Sequence, residues 1–211
     1  MRNLLLLLIA VSIAACSKDE FDSSAPKKGQ KAELFVDHYS DVRNQMIFLS
    51  PKKTLSPLPL SGFSERELGY TYTVKAVVDV NDVPVMDDGV NSWFKYTGVI
   101  SKERYTRQDP FEIGLVYRIG FGGSGGNLAI TKEGTQFLYG AVGTLRPANE
   151  QIRQQLEEYL SKEKLITNSV DYQQYQLYLS KLDLKAIVIH DPENYGKGYL
   201  LQEIRYNNVP L

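Results

Sequence analysis

The stretch Gly69-Tyr70-Thr71-Tyr72-Thr73-Val74-Lys75-Ala76-Val77-Val78-Asp79-Val80 decides the fold. Tyr70, Tyr72, Val74, Ala76, Val78 and Val80 recur at period two against Thr71, Thr73, Lys75 and Asp79. Successive side chains of a strand point to opposite faces, so the pattern predicts a strand over Leu68 to Val80 with one face buried and one wet. Gly69, just before it, suits a turn conformation that residues with a Cβ resist.

Outward from this strand the chain continues in the same style. Asn81 to Gly89 reads as a turn or loop. Trp93 to Ile100 returns as a strand with Trp93, Lys95 and Thr97 on one face and Phe94 and Tyr96 on the other. Phe111 to Phe121, Leu128 to Thr131 and Phe137 to Val142 are further strand candidates. So are Ala32 to Tyr39 and Met46 to Leu49 upstream, before Pro51, Pro57 and Pro59 interrupt the pattern. The 14 tyrosines and 8 phenylalanines favour sheets, where rings pack well across pleated strands.

The period changes at Pro147. Ile152, Leu156, Tyr159 and Leu160 fall at helical spacing, Pro147 suits a first helical turn, and Glu158 precedes Lys162 by one turn, which predicts an amphipathic helix over 148–165. Asp171 to Leu182 fits either a helix, through Tyr172, Tyr175, Leu179 and Leu182, or a strand, through Tyr175, Leu177 and Leu179. The helix is preferred. Leu184 to His190 and Gly198 to Tyr206 are strands joined by a turn at Asp191 to Gly196. The fold class is therefore α+β: a mainly antiparallel β sheet or barrel with one helix near 148–165 and a second candidate near 171–182.

The first residues carry a different signal. Arg2 and the amino terminus precede an apolar run from Leu4 to Ile13, about half of the ~20 residues a membrane-spanning helix needs. Ile13-Ala14-Ala15-Cys16 then places the single cysteine of the chain after two small residues. The arrangement resembles the signal peptide and lipobox of bacterial lipoproteins. The resemblance implies cleavage between Ala15 and Cys16 and lipidation of Cys16. Ser17-Lys18-Asp19-Glu20 is similar to the short acidic tags that carry lipoproteins to the cell surface, and reads equally as a solvated tether.

Four parts follow: a leader over 1–15, a flexible linker over 16–31 rich in serine, charge, Pro26 and Gly29, a β-rich domain or subdomain over 32–105, and an α+β part over 106–211 of the same or a second domain. The formal net charge is -1, from 24 basic and 25 acidic residues, so no nucleic-acid footprint and no polybasic membrane patch exists. With Cys16 committed to lipid, no disulfide can form within the chain.

Within the β-rich half, Gly62-Phe63, Gly69-Tyr70-Thr71-Tyr72, Pro84 with Asp87 or Asp88, Tyr96, and Val99-Ile100-Ser101-Lys102 form a pattern. It resembles the uncharacterised bacterial family called domain of unknown function 4377, over about Glu33 to Arg104. A cysteine pair common in that family has no counterpart here. The resemblance implies a small β-rich domain of exported lipoproteins and no known activity.

Motifs for catalysis are weak. Gly120-Phe121-Gly122-Gly123-Ser124-Gly125 satisfies G-x-G-x-x-G, but a dinucleotide site needs a helix to open there and a strand follows. Gly122 to Gly126 also reads G-x-S-x-G, with His190 downstream and Asp171 or Asp183 between, but a nucleophile elbow joins a strand to a helix. Asp79, Asn81, Asp82, Asp87 and Asp88 form an acidic loop without the calcium-loop spacing, since Val83 occupies a ligand position. His38 and His190 stand far apart in sequence, and no metal-ligand spacing exists. No cofactor is expected.

The functional expectation is a lipid-anchored envelope lipoprotein on the outer membrane or cell surface. It would work as a non-catalytic binding module for a protein or glycan, through a surface formed by Tyr70, Tyr72, Trp93 and Tyr96. The alternative is an envelope hydrolase using Ser124 and His190.

Overall fold

A computed structural model describes residues 21–51, 53–81, 91–119, 125–164 and 169–206. It is β-rich with two helices and antiparallel-rich sheets, in agreement with the α+β reading. The elements in chain order are β1 (Lys31–Val36), β2 (Ile47–Leu49), β3 (Thr54–Leu55), β4 (Leu60–Ser61), β5 (Tyr70–Val80), β6 (Ser92–Arg104), β7 (Phe111–Gly114), β8 (Val116–Ile119), β9 (Gly125–Leu128), β10 (Ile130–Glu133), β11 (Gln136–Tyr139), β12 (Gly143–Pro147), α1 (Glu150–Lys164), α2 (Ser169–Leu182), β13 (Leu184–His190) and β14 (Gly198–Tyr206). The chain forms two compact units. One holds 21–36, Ile47–Ser64 and Tyr72–Lys102; the other holds Asp37–Met46, Glu65–Thr71 and 103–206.

The first unit is built on a sheet of order β3-β2-β1-β5-β6-β4. Strand β5 keeps the alternation of its sequence: Tyr72, Val74, Ala76 and Val78 are buried while Lys75 is exposed. Strand β1 runs antiparallel beside it with Leu34 opposite Val74, and Leu34, Val36, Ile47, Leu60 and Phe94 complete the core. β4 lies parallel to β6 and pairs with it only at Phe94 and Lys95.

The expected flexible linker over 16–31 is corrected from Phe21 onward. The Phe21 ring meets Phe94 edge-on at 4.7 Å, and the Phe21 N–H donates to the Lys31 carbonyl. The Gly29 N–H donates to the Val78 carbonyl and the Val78 N–H to the Gln30 carbonyl, both at 2.8 Å. One aromatic ring and a short extension of the β ladder are enough to bind a segment whose composition is that of a tether.

The second unit contains a sheet of order β10-β11-β12-β14-β13-β7 and the ribbon β8-β9. The single strand expected over Phe111 to Phe121 is in fact two, β7 and β8, which belong to different sheets. The same is true of β9 and β10. The breaks fall at Leu115 and Ala129, where the Leu115 N–H donates to Leu184 and the Ala129 N–H to the Leu115 carbonyl, at 2.9 and 2.8 Å. Both corner residues are buried, so the apolar run continues through the bend and the sequence pattern does not register it.

Pro147 does not open the first helix, as the sequence reading had it, but closes β12, a strand missed in sequence that lies parallel to β14. Asn149 caps the helix instead, its side-chain oxygen accepting from the Ile152 N–H at 3.0 Å. Ile152, Leu156 and Leu160 then fall on one buried face of α1, and the Glu158–Lys162 pair closes at 2.9 Å on the wet face. The ambiguous segment forms α2, burying Leu179 and Leu182. The bounds of β13 and β14 match the sequence reading.

Candidate functional site

Cys16, Ala15, Ser124, Asp82, Asp87 and Asp88 lie outside the described residues, as does the G-x-G-x-x-G run up to Ser124. The tyrosine surface expected on the sheet is corrected at Tyr72. It is 2% exposed, with the Phe63 ring edge-on at 5.1 Å and the Lys102 ammonium over its face. The reason is strand phase: Tyr72 shares the inward face with Val74 and Ala76. Tyr70, Trp93 and Tyr96 are half-buried. Phe63 stacks on Tyr96 at 4.8 Å, and Tyr70 meets Tyr195 edge-on. Asp79, at the start of the acidic loop, is held by Lys28 at 3.8 Å and accepts from the Val80 N–H.

The most unusual polar arrangement lies in the second unit and joins two residues 152 positions apart. His38 Nδ1 and His190 Nε2 share a hydrogen bond of 2.9 Å, so the two histidines that stand apart in sequence form a pair. His38 follows β1 and His190 ends β13; both continue the inward phase of their strands, after Leu34 and Val36 in one and Ala186 and Val188 in the other. That phase was the available signal, but it does not name the partner.

The pair is enclosed by aromatic rings. Tyr105 stacks on His38 at 3.6 Å, and Phe111, Tyr195 and Tyr199 surround His190 at centroid separations of 5.4, 5.5 and 5.7 Å. His190 is 2% exposed and His38 8%. Burial penalises the imidazolium and pulls both histidines down to about 4; Arg107 adds to the effect at His38 and His38 itself at His190. Both are neutral at pH 7.

In a neutral pair one nitrogen donates and the other accepts. His190 Nδ1 is buried without a hydrogen-bond partner among the described residues. A proton there would strand a buried donor, so the proton belongs on His190 Nε2 and is donated to His38 Nδ1. His38 then carries its own proton on Nε2, which lies 3.7 Å from Asp37 Oδ1. The arrangement gives a neutral, enclosed couple whose shared hydrogen bond occupies one nitrogen of each ring.

This geometry bears on the hydrolase alternative. A catalytic histidine needs one nitrogen on the nucleophile and the other held by an orienting carboxylate. Among the described residues His190 offers neither: Nε2 is engaged by His38, and no carboxylate reaches Nδ1. Asp183 ion-pairs with Lys185 at 3.7 Å. Among the described residues no group of three histidine, cysteine or carboxylate side chains is arranged to hold a metal ion.

Two buried carboxylates of the same unit have structural partners. Asp191 receives Nε and Nη2 of Arg146 at 3.0 and 2.7 Å, together with the Glu193 N–H and the Asn194 amide, and these hydrogen bonds, the Arg146 fork first, hold its carboxyl below the usual range. Asp41 receives the Arg43 fork and the Gly114 N–H. Both fix loops. Tyr172 of α2 is exposed with its hydroxyl donating to Asn127, and on a different side of the helix Val170, Leu177 and Tyr178 share an exposed face by helical spacing. The sequence reading did not single out this face.

Comparison with protein-family models, with curated proteins and with solved structures finds no match.

Proposed function

We propose that the chain is an exported, lipid-anchored envelope protein whose folded part is a non-catalytic binding module. The observation that carries the reading is the leader: a basic start, a short apolar run, and Ile13-Ala14-Ala15-Cys16 with the single cysteine of the chain at the end. Each buried methylene of an acyl chain contributes ~0.8 kcal/mol, so two or more chains on Cys16 hold a protein at a membrane without help from its fold. Ser17-Lys18-Asp19-Glu20 favours display on the outer membrane or cell surface.

The non-catalytic part of the reading is supported by the enclosure of His190, whose Nε2 is taken up by His38. The partner would be a protein or glycan met through exposed tyrosine and aliphatic side chains, and α2 offers these more openly than the sheet does. The resemblance to domain of unknown function 4377 supplies no activity to carry over.

Expression of wild type and Cys16→Ala in a Gram-negative host tests the anchor. Wild type should take up a labelled fatty acid and partition with membranes, whereas Cys16→Ala should do neither. Equal partition of both proteins would refute lipid anchoring. Protease treatment of intact cells then distinguishes surface display from a periplasmic orientation.

A further inference from the structure

We infer that strand β6 is a self-association edge, pairing antiparallel with β6 of a second copy about a twofold axis at Val99. The first observation is an edge left open. β6 spans Ser92–Arg104, yet on the side away from β5 the only described strand is β4, two residues long, which pairs at Phe94 and Lys95. Phe63, just after β4, stacks on Tyr96 and ends the cover.

Beyond that point Thr97, Val99, Ile100 and Ser101 are exposed, Val99 by 40% and Ile100 by 45%. Sheet proteins guard such edges with charge, proline or a bulge. Here the middle of the open stretch, Gly98-Val99-Ile100, has none of these.

The second observation is that strand phase narrows the register and side-chain size chooses within it. The Phe94 N–H donates toward β4, to the Pro59 carbonyl, at 2.8 Å. At period two, Gly98 and Ile100 turn their backbone groups to the same edge. An antiparallel partner must pair such residues with each other, and centring the pair on Val99 does so: Gly98 faces Ile100 of the second copy, and Ile100 faces its Gly98. The position that a Gly98 side chain would take has nothing within 4 Å, which leaves room for the facing isoleucine.

The same centre sets Thr97 opposite Ser101, a favourable cross-strand pair. It also places Lys95 and Glu103, four residues to either side of Val99, just outside the paired stretch, because β4 already takes the edge at Lys95. Each lysine of one copy is thereby brought toward a glutamate of the other, at both ends by symmetry. Moving the centre one residue to Ile100 loses these matches and sets Gly98 against Lys102. A second copy is thus favoured over an unrelated extended peptide, because the edge is complementary to itself in side-chain size and charge.

Disulfide trapping tests the register in the full-length chain. Across a non-hydrogen-bonded antiparallel pair Cα atoms lie about 4.5 Å apart, within disulfide range, so Val99→Cys should link to its own copy under mild oxidation. Ile100→Cys, lying diagonally from its symmetry mate at about 7–8 Å, should link at least about tenfold less. Wild type, with Cys16 as its single cysteine, sets the background.

Adding Ile100→Lys to Val99→Cys should abolish the link while leaving the circular dichroism unchanged, since the side chain is exposed. Sedimentation of the wild type should show a dimer that Ile100→Lys dissociates. The inference is overturned if both cysteine variants link equally, if Val99→Cys gives no link or links to a different protein, if the link survives Ile100→Lys, or if wild type remains monomeric at all concentrations.

Discussion

Lowering the pH from 7 to 5 bears on a narrow part of this molecule, the hydrogen-bonded pair of His38 and His190, because histidines of the unfolded chain take up protons over this range. The unfolded chain takes up a proton on each histidine near pH 6.5, whereas the folded pair resists until about pH 4. Between those values the unfolded state binds more protons, so stability falls as pH drops below about 6.5 and stops falling near 4, where both states are charged. A displacement of this size costs about 2 kcal/mol per histidine at pH 5, and about 2–4 kcal/mol for the pair once the coupling across one hydrogen bond is allowed for.

The groups facing the pair are Asp37 and Asp109, which favour the imidazolium, Arg107, which opposes it, and the rings of Tyr39, Tyr105, Tyr195 and Tyr199, which contribute burial. Glu163, raised by burial, works in the opposite direction at the acid end. Asp191, lowered by Arg146, loses its contribution only at more acid pH. Urea unfolding followed by circular dichroism at half-unit steps from pH 7 to 5 measures the loss. The double variant His38→Phe, His190→Phe should flatten that profile. An unchanged slope in the double variant, or a wild type equally stable at pH 7 and 5, would refute the argument.

Gly69 has φ of +81°, and a Cβ there would stand 2.6 Å from the Tyr195 ring, whose hydroxyl donates to the Gly69 carbonyl. Gly69→Ala should cost about 1–3 kcal/mol in chemical denaturation, from the backbone strain and the displaced ring; a loss below a few tenths would show that the loop absorbs the change. Leu156 is fully buried on α1, so Leu156→Ala should cost about 2–5 kcal/mol by the same measurement, and a neutral result would mean that the helix does not depend on that face.

Much of the fold is legible in the sequence because its strongest elements are locally periodic. Tyr72 to Val78 declare a half-buried strand, Ile152, Leu156 and Leu160 declare a helix face, and Leu184 to His190 and Gly198 to Tyr206 carry their own turn between them. The features that escaped are set by partners distant in sequence. Phe111 to Ile119 changes sheet at Leu115 without interrupting its apolar pattern, since the corner is as buried as the strands. The short β12 pairs with β11 just before it, but its other neighbour, β14, is reached only through a parallel crossover over both helices. Phe21 to Gln30 looks like a tether because one aromatic ring and three backbone hydrogen bonds hold it, and composition records neither.

The histidine pair escaped for the same reason, and it also shows why a motif search is a poor guide to this chain. Ser124 and His190 attract notice through a short glycine-rich pattern, yet the fold spends His190 on a contact with His38 that no motif contains. A base must accept a proton where substrate can reach it, and its protonated form must be tolerated. The pair fails both conditions: its shared hydrogen bond is sealed under Tyr105, and burial disfavours charge on either ring. Asp41 and Asp191, the buried carboxylates that could assist, are engaged by Arg43 and Arg146. The described buried polar groups of the second unit thus serve its architecture, which shifts the weight of any functional account to exposed side chains: Val99 and Ile100 at the edge of β6, and Val170, Leu177 and Tyr178 on α2.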